Sequence, residues 1–258
     1  MLRTVVITGA SSGLGEALAL RFAGEGARLG LIGRNASRLR DAAGRARSAG
    51  ASQIEIGAID VRARIELADW VEAFDRGAGI DLLIANAGVV GGTTMAGETE
   101  SVEASQAIFS INVLGTLNTI HAVLPHMMRR KSGQIAVVSS LAGFVRLPDL
   151  PSYSASKAAM ISYALSLRDA LQPHGVSVNV VCPGYIDTPM GRQLRGAKAF
   201  MVTPEAAAKA TVRGLARDQR VIAFPFLLAS VTRIATFFPA AVVRAFAPSF
   251  RVSAREND

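Results

Sequence analysis

Cysteine is nearly missing from this 258-residue chain; Cys182 is the only one. A single thiol excludes an internal disulfide framework and suits a reducing compartment. Histidine is scarce too, and His121, His126 and His174 share no metal-like spacing, so no metal centre is expected. Lysine is rare: the net charge of +8 rests on 24 arginines and 4 lysines. Those arginines are scattered, with Arg129-Arg130-Lys131 the one short run, and aromatic residues do not interleave with them. A nucleic-acid partner is therefore not expected, and the charge reads as a solvated surface that also suits an anionic ligand. Linkers, internal repeats and low-complexity tracts are absent. A strand-like run, Thr4 to Thr8, begins almost at the first methionine and leaves no room for a cleavable signal peptide, which points to the cytoplasm.

What the chain does have is apolar residues, 50% hydrophobic against 19% charged, enough for a substantial core at a length that fits one large α/β domain. The apolar run Thr4–Thr8 leads into Gly9-Ala10-Ser11-Ser12-Gly13-Leu14-Gly15, and helical spacing follows at Leu14, Ala17, Leu18 and Phe22. Strand, glycine-rich turn and helix in that order make a phosphate site. Glycines let the backbone approach a pyrophosphate, and a helix N-terminus presents free N–H groups to negative charge. The glycine spacing is G-x-x-x-G-x-G, so it is the position between strand and helix that carries the argument.

A second strand, Arg28 to Ile32, ends in Gly33-Arg34-Asn35. In dinucleotide folds an acid at this point binds the ribose 2′-hydroxyl, whereas an arginine accommodates a 2′-phosphate. No acid stands between Arg28 and Arg40, and Arg34 occupies the place. NADP(H) is therefore the preferred cofactor, with NAD(H) as the alternative. Further strands are expected at Ile54–Ile59 (closing on Asp60-Val61), Ile80–Ala85 (ending at Asn86-Ala87-Gly88), Gly133–Ser139 and Ser177–Val181, with helices between them and one long helix over Val102 to about Met128. This alternation predicts a Rossmann-type doubly wound parallel sheet in a three-layer α/β/α arrangement, one domain over residues 1–258. Every polar or glycine-rich cluster falls at the carboxyl end of a strand, where ligands bind such sheets.

Tyr153 and Lys157 stand four residues apart, ahead of apolar residues at helical spacing (Ala159, Met160, Tyr163, Ala164, Leu167). On a helix they share one face. A neighbouring ammonium favours phenolate, which predicts a lowered Tyr153 pKa and a proton donor and acceptor near neutral pH.

Taken together these segments resemble the short-chain dehydrogenase/reductase family, in its form of about 250 residues. The resemblance runs from about residue 3 to residue 190. It rests on Thr8 to Gly15 as the cofactor turn, Asn86-Ala87-Gly88, Asn112 within a helix, Ser140 thirteen residues before Tyr153, the Tyr153/Lys157 pair, and the loop Pro183-Gly184-Tyr185-Ile186-Asp187-Thr188. Ala85 stands where the family often has a second asparagine. The resemblance implies a carbonyl/alcohol oxidoreductase in which Tyr153 moves the proton and Lys157 tunes it and binds the nicotinamide ribose. Ser140 would hold the carbonyl oxygen, and Asn112 would position a water behind Lys157. Neighbouring strand residues face opposite ways, so Ser139 and Ser140 cannot both face the cofactor, and the spacing selects Ser140. Gly9, Ser11, Ser12, Gly13, Leu14, Gly15, Arg34, Asp60, Val61, Asn86, Ala87, Gly88, Pro183, Gly184, Ile186 and Thr188 are expected to contact the cofactor with Tyr153 and Lys157. A homodimer or homotetramer is implied as well.

Residues 191–258 carry no motif and read as a substrate flap followed by an apolar region of the same domain. Thr203-Pro204-Glu205 opens a helix to about Arg217, with an N-cap and a first-turn proline. From Val221 to Phe250 the chain is strongly apolar, broken by Pro225, Pro239 and Pro248. Its uncharged stretches, interrupted by Arg233 and Arg244, are too short to span a bilayer. Three readings follow: the wall of a pocket for a bulky apolar substrate, a subunit interface, or a peripheral membrane contact. Two rival functions stand beside the oxidoreductase: a nucleotide-binding regulatory protein without turnover, and a membrane-surface ketoreductase of lipid type.

Overall fold

The computed structural model describes residues 3–92, 99–194, 198 and 200–235. Seven parallel strands form one sheet in the order β3-β2-β1-β4-β5-β6-β7. They are β1 (Thr4–Thr8), β2 (Arg28–Ile32), β3 (Gln53–Gly57), β4 (Leu82–Ala85), β5 (Gly133–Val138), β6 (Val176–Pro183) and β7 (Val221–Phe224). The helices are α1 (Gly13–Ala23), α2 (Ala36–Ser48), α3 (Arg64–Ala78), α4 (Val102–Phe109), α5 (Thr116–Arg130), α6 (Pro151–Leu171), α7 (Pro189–Gln193), α8 (Pro204–Ala216) and α9 (Phe226–Ala235).

The inner strands read as apolar runs because both faces of the sheet are covered there, whereas the edge strand β3 keeps polar residues at Gln53 and Glu55. Period two then divides each strand between two cores. Val5 and Ile7, Leu29 and Leu31, and Leu82 and Ile84 pack with α1, α2 and α8 on one face. Val6, Leu83 and Ala85, and Ile135 and Val137 pack with α3, α5 and α6 on the other. Helix α1 shows how its sequence meets this surface: Leu14, Ala17, Leu18 and Phe22 fall on one stripe, and Leu18 and Phe22 are at most 1% exposed. Full burial of such a side chain is worth about 1.5–3 kcal/mol.

Two features depart from the sequence reading. The expected single helix from Val102 is divided by a π-helical turn, Ser110–Gly115, between α4 and α5. The region after Val221 begins with a seventh strand, paired to β6 through Val180↔Val221 to Pro183↔Phe224. Among the described residues, the stretch Val102–Arg130 is long and apolar enough to cross a membrane, yet it lies against α3, β4, β5 and α6. The residues beyond Ala235, with the apolar Phe237, Phe238, Pro239, Phe246, Pro248 and Phe250 and the interrupting Arg244, lie outside the described residues.

The strand order reverses direction between β1 and β4. The chain leaves β1 toward β2 and β3 on one side, and β4 continues on the other. Crossovers diverge here and leave a crevice at the carboxyl ends of the strands.

Candidate active site

The crevice is a cavity of about 1080 Å³. Gly9, Ser11, Ser12, Gly13 and Leu14 line it after β1, Arg34 after β2, Asp60 and Val61 after β3, and Asn86, Ala87 and Gly88 after β4. Ser140, Tyr153, Lys157, Pro183, Gly184, Ile186 and Thr188 line the rest. Two sequence-predicted residues stand behind the wall: Gly15, in the first turn of α1, and Asn112, in the π turn.

Gly9 has φ +66, and a Cβ there would come within 2.9 Å of Ala87 Cα and of Asn86 Nδ2. Only glycine fits this conformation and this approach. Asn86 Nδ2 donates to the carbonyls of Thr8 and Gly9 at 3.0 and 3.2 Å, and Thr8 Oγ1 accepts from the backbone N–H groups of Asn86 and Ala87 at 3.1 and 3.2 Å. The β1 and β4 loops are thus sewn together, with the α1 N-terminus beside them. Ser12 precedes α1 without capping it through its side chain, whereas Asn35, Ser101, Thr188 and Thr203 cap α2, α4, α7 and α8. The free N–H groups of α1 suit a phosphate. Farther along, Arg34 is exposed, with its guanidinium 3.9 Å from Asp60 Oδ2. Asp60 is held more tightly by Arg62, at 2.7 and 3.0 Å, and that bond keeps its carboxyl below the ordinary range. A glycine-framed turn, uncapped helix donors and a cation at the ribose end fit a dinucleotide.

At the other end of the crevice, Ser139 and Ser140 both line the cavity but take different partners. Ser139 Oγ is buried and donates to the Lys157 carbonyl at 2.7 Å. Ser140 Oγ accepts from Ala142 N at 3.1 Å and donates a long bond to the Pro183 carbonyl at 3.4 Å, with the Tyr153 phenol close enough to feel its hydroxyl. The short turn after Ser140 presses on α6, because Gly143 has no side chain: a Cβ there would lie 2.8 Å from the Lys157 carbonyl carbon.

Tyr153 and Lys157 share a face of α6, with Nζ 5.8 Å from the phenol ring centre. The expected lowering of the Tyr153 pKa does not occur. Burial pushes the phenol up, the neighbouring Ser140 hydroxyl pulls it partly back, and Tyr185 adds a further upward push. Lys157 is itself 6% exposed, and burial brings its ammonium down to about 8. Its Nζ donates to the Val138 carbonyl at 3.0 Å. Spacing along a helix shows that two groups are neighbours, but the cost of desolvating a phenolate depends on what covers it.

Asn112 is 1% exposed and fully engaged. Its Oδ1 accepts from Val89 N at 2.8 Å, and its Nδ2 donates to the Val89 carbonyl at 3.0 Å and to Ser156 Oγ at 3.1 Å. Ser156 in turn donates to the Tyr153 carbonyl at 2.7 Å. The amide therefore has no N–H left to hold a water, and it ties the β4 loop to the first turn of α6.

The sequence reading missed part of the apolar end of the cavity: Leu141, Val145, Leu147, Leu150 and Met190 line it, beside Tyr185 of the expected loop, Leu194 of the expected flap and Leu228, Val231 and Ile234 of the apolar region read as a possible pocket wall. Of the C-terminal apolar region, α9 walls the pocket through Leu228, Val231, Thr232 and Ile234, while Phe226 and Leu227 point outward. The helical spacing of these residues was the available signal, hidden within a uniformly apolar run. Gly191 and Leu194 of the expected flap, with Met190 just before it, also line the cavity. Among the described residues no cluster of His, Cys, Asp or Glu could hold a metal.

Comparisons with known proteins agree with this geometry. Residues 3–199 match the family model of the short chain dehydrogenases. An oxidoreductase of Myxococcus xanthus without assigned substrate is 38% identical over 238 residues, covering 92% of this chain and 93% of the relative. The ketoacyl reductase HetN of Nostoc sp. is 37% identical over 218 residues, covering 83% and 75%. Among solved structures, a short chain dehydrogenase from Mycobacterium paratuberculosis bound to NAD superposes with a TM-score of 0.76 at 26% identity, covering 86% of this chain and 94% of that one. With the fold, the nucleotide crevice and the match over three quarters of its length, the chain belongs to the short-chain dehydrogenase family of NAD(P)-dependent oxidoreductases.

Proposed function

We propose that the protein transfers hydride between NADP(H) and a bulky, apolar carbonyl/alcohol pair, with Ser140, Tyr153 and Lys157 as its catalytic residues. The observation that carries this reading is that Ser140, Tyr153 and Lys157 line one cavity together, with Lys157 Nζ 5.8 Å from the Tyr153 ring centre, beside apolar side chains. A bound nicotinamide supplies or accepts the hydride. Tyr153 gives its phenolic proton to the carbonyl oxygen in reduction and takes it back in oxidation. Its pKa, raised by burial, keeps that proton in place until negative charge develops on the substrate. Ser140 is a neutral donor whose weak bond to Pro183 is easily exchanged for one to the developing oxyanion. Lys157, with a pKa of about 8, is mostly protonated at neutral pH and stabilises the phenolate left behind. Asn112 fixes the first turn of α6 through Ser156 and so holds Tyr153 at its post.

The α1 turn, Asp60, Val61, Asn86 to Gly88 and the loop from Pro183 to Thr188 would hold the dinucleotide. Arg34, exposed at the end of β2 where an acid would select the 2′-hydroxyl, supports NADP(H) over NAD(H). The NAD found with the Mycobacterium relative belongs to that protein. A family habit of self-association supports a homodimer or homotetramer, and the exposed apolar side chains of α9 support a peripheral contact beside the pocket. The name of the Nostoc relative favours acyl-type ketones.

The test is a substrate and cofactor panel. Long-chain and polycyclic ketones should be reduced with NADPH far faster than acetone-sized ones, and small polar ketones as the sole substrates would refute the apolar assignment. Arg34→Asp should raise KM for NADPH by about tenfold or more, the scale of one charge-assisted contact, and spare NADH. An unchanged ratio would refute the phosphate assignment.

A further inference from the structure

The charged residues that line the cavity are unevenly shared between its two ends. Arg34, Arg38 and the carboxylate of Asp60 stand at the ribose end, and Lys157 stands at the proton-handling centre. Asp60 is the single acid among the described lining residues, and Arg62 already holds it. One charge is left over. Arg146 lies on the loop between β5 and α6, six residues after Ser140 and seven before Tyr153, flanked by the lining residues Val145 and Leu147. It is exposed, and among the described residues it enters no ion pair and no side-chain hydrogen bond. The cation on the facing flap is not free in this way: Arg192 is held by Asp187 at 2.9 Å.

Resting on the function proposed above, we infer that Arg146 is the docking point for an anionic group on the substrate. The substrate class is then an apolar carbonyl compound that ends in a carboxylate or a phosphate. The physical argument is one of complementarity. The lining residues beside Arg146 in the chain, Val145 and Leu147, are apolar, and among the described residues the guanidinium has no ion-pair or hydrogen-bond partner, so its five N–H donors remain available. A planar fork of this kind binds carboxylate or phosphate through two parallel bonds. Its exposure is also in keeping with the task. The charged end of the substrate stays at the water-filled mouth, and only the apolar body and the carbonyl are desolvated, which avoids the cost of burying an ion. The excess of positive charge along the cavity draws anions toward it.

The experiment compares an oxo-decanoic acid with its methyl ester, using the NADPH-bound protein and variants Arg146→Ala and Arg146→Lys. Arg146→Ala should raise KM for the acid by about tenfold to hundredfold, the range of a charge-assisted bidentate contact, and leave kcat and the ester unchanged. Arg146→Lys should recover part of the loss, and added salt should raise KM for the acid alone. Equal KM values for acid and ester in the wild type, or an equal effect of Arg146→Ala on both, would overturn the assignment. Failure of the underlying function looks different, because neither compound would then be turned over. Calorimetric binding of the acid to wild type and Arg146→Ala still decides the role of Arg146 in that case: equal affinities refute it.

Discussion

At the scale of single residues, the chemistry rests on groups taken out of water and on the bonds that compensate them. Lys157 has a folded-state pKa of about 8, below its ordinary 10.5, because burial penalises the ammonium. Between those two values the unfolded chain binds a proton that the folded chain does not, so stability should rise with pH across that window. Urea titrations at several pH values should show this rise in the wild type and its loss in Lys157→Met. A parallel rise in the variant would assign the effect elsewhere. Asn112→Ala removes three hydrogen bonds and leaves half-buried backbone groups of Val89 unpaired, which should cost about 2 kcal/mol in chemical denaturation. Much of this was legible in the sequence. The Tyr153/Lys157 pairing follows from helical spacing, and the choice of Ser140 over Ser139 follows from the thirteen-residue interval. The upward direction of the Tyr153 pKa was not legible, because it depends on desolvation by residues distant in the chain. Nor was the commitment of Asn112 to Val89 and Ser156, since partners 23 and 44 positions away leave no local pattern.

At the scale of elements, five of the seven strands were readable as apolar runs, because a central parallel strand is buried on both faces, and the edge strand β3 was readable from the alternation of Ile54 and Ile56 with polar residues. The seventh, Val221–Phe224, was not. It opens a long apolar stretch in which no polar boundary separates strand from helix, and pairing with β6 decides the matter. The π turn at Ser110–Gly115 was equally hidden, since one wide turn barely disturbs the period of a long amphipathic helix. Its last residue shows a constraint: a Cβ on Gly115 would lie 2.5 Å from Val61 Cγ2. Gly115→Ala should therefore destabilise the fold by about 1–3 kcal/mol through overpacking. It should also raise KM for the dinucleotide, because Val61 lines the crevice. Stability equal to wild type would mean that the π turn yields freely.

At the scale of the whole molecule, the sheet and its two cores form a rigid frame whose strand ends bring together residues from opposite parts of the chain. The turn after Thr8 and the pair Tyr153 and Lys157 line the same crevice. The charge of +8 is directed inward as well as to solvent, because four of the five charged residues that line the cavity are cationic. The central claim is that Tyr153 moves the proton while the rest of the frame binds the nucleotide, and these two tasks separate in one variant. Tyr153→Phe keeps the ring and its packing but removes the phenolic proton. Fluorescence titration with NADPH should give the wild-type affinity, while kcat for a bulky ketone should fall by about 10²–10⁴, the range for loss of a general acid. Turnover at the wild-type rate in a variant that still binds NADPH would contradict the account.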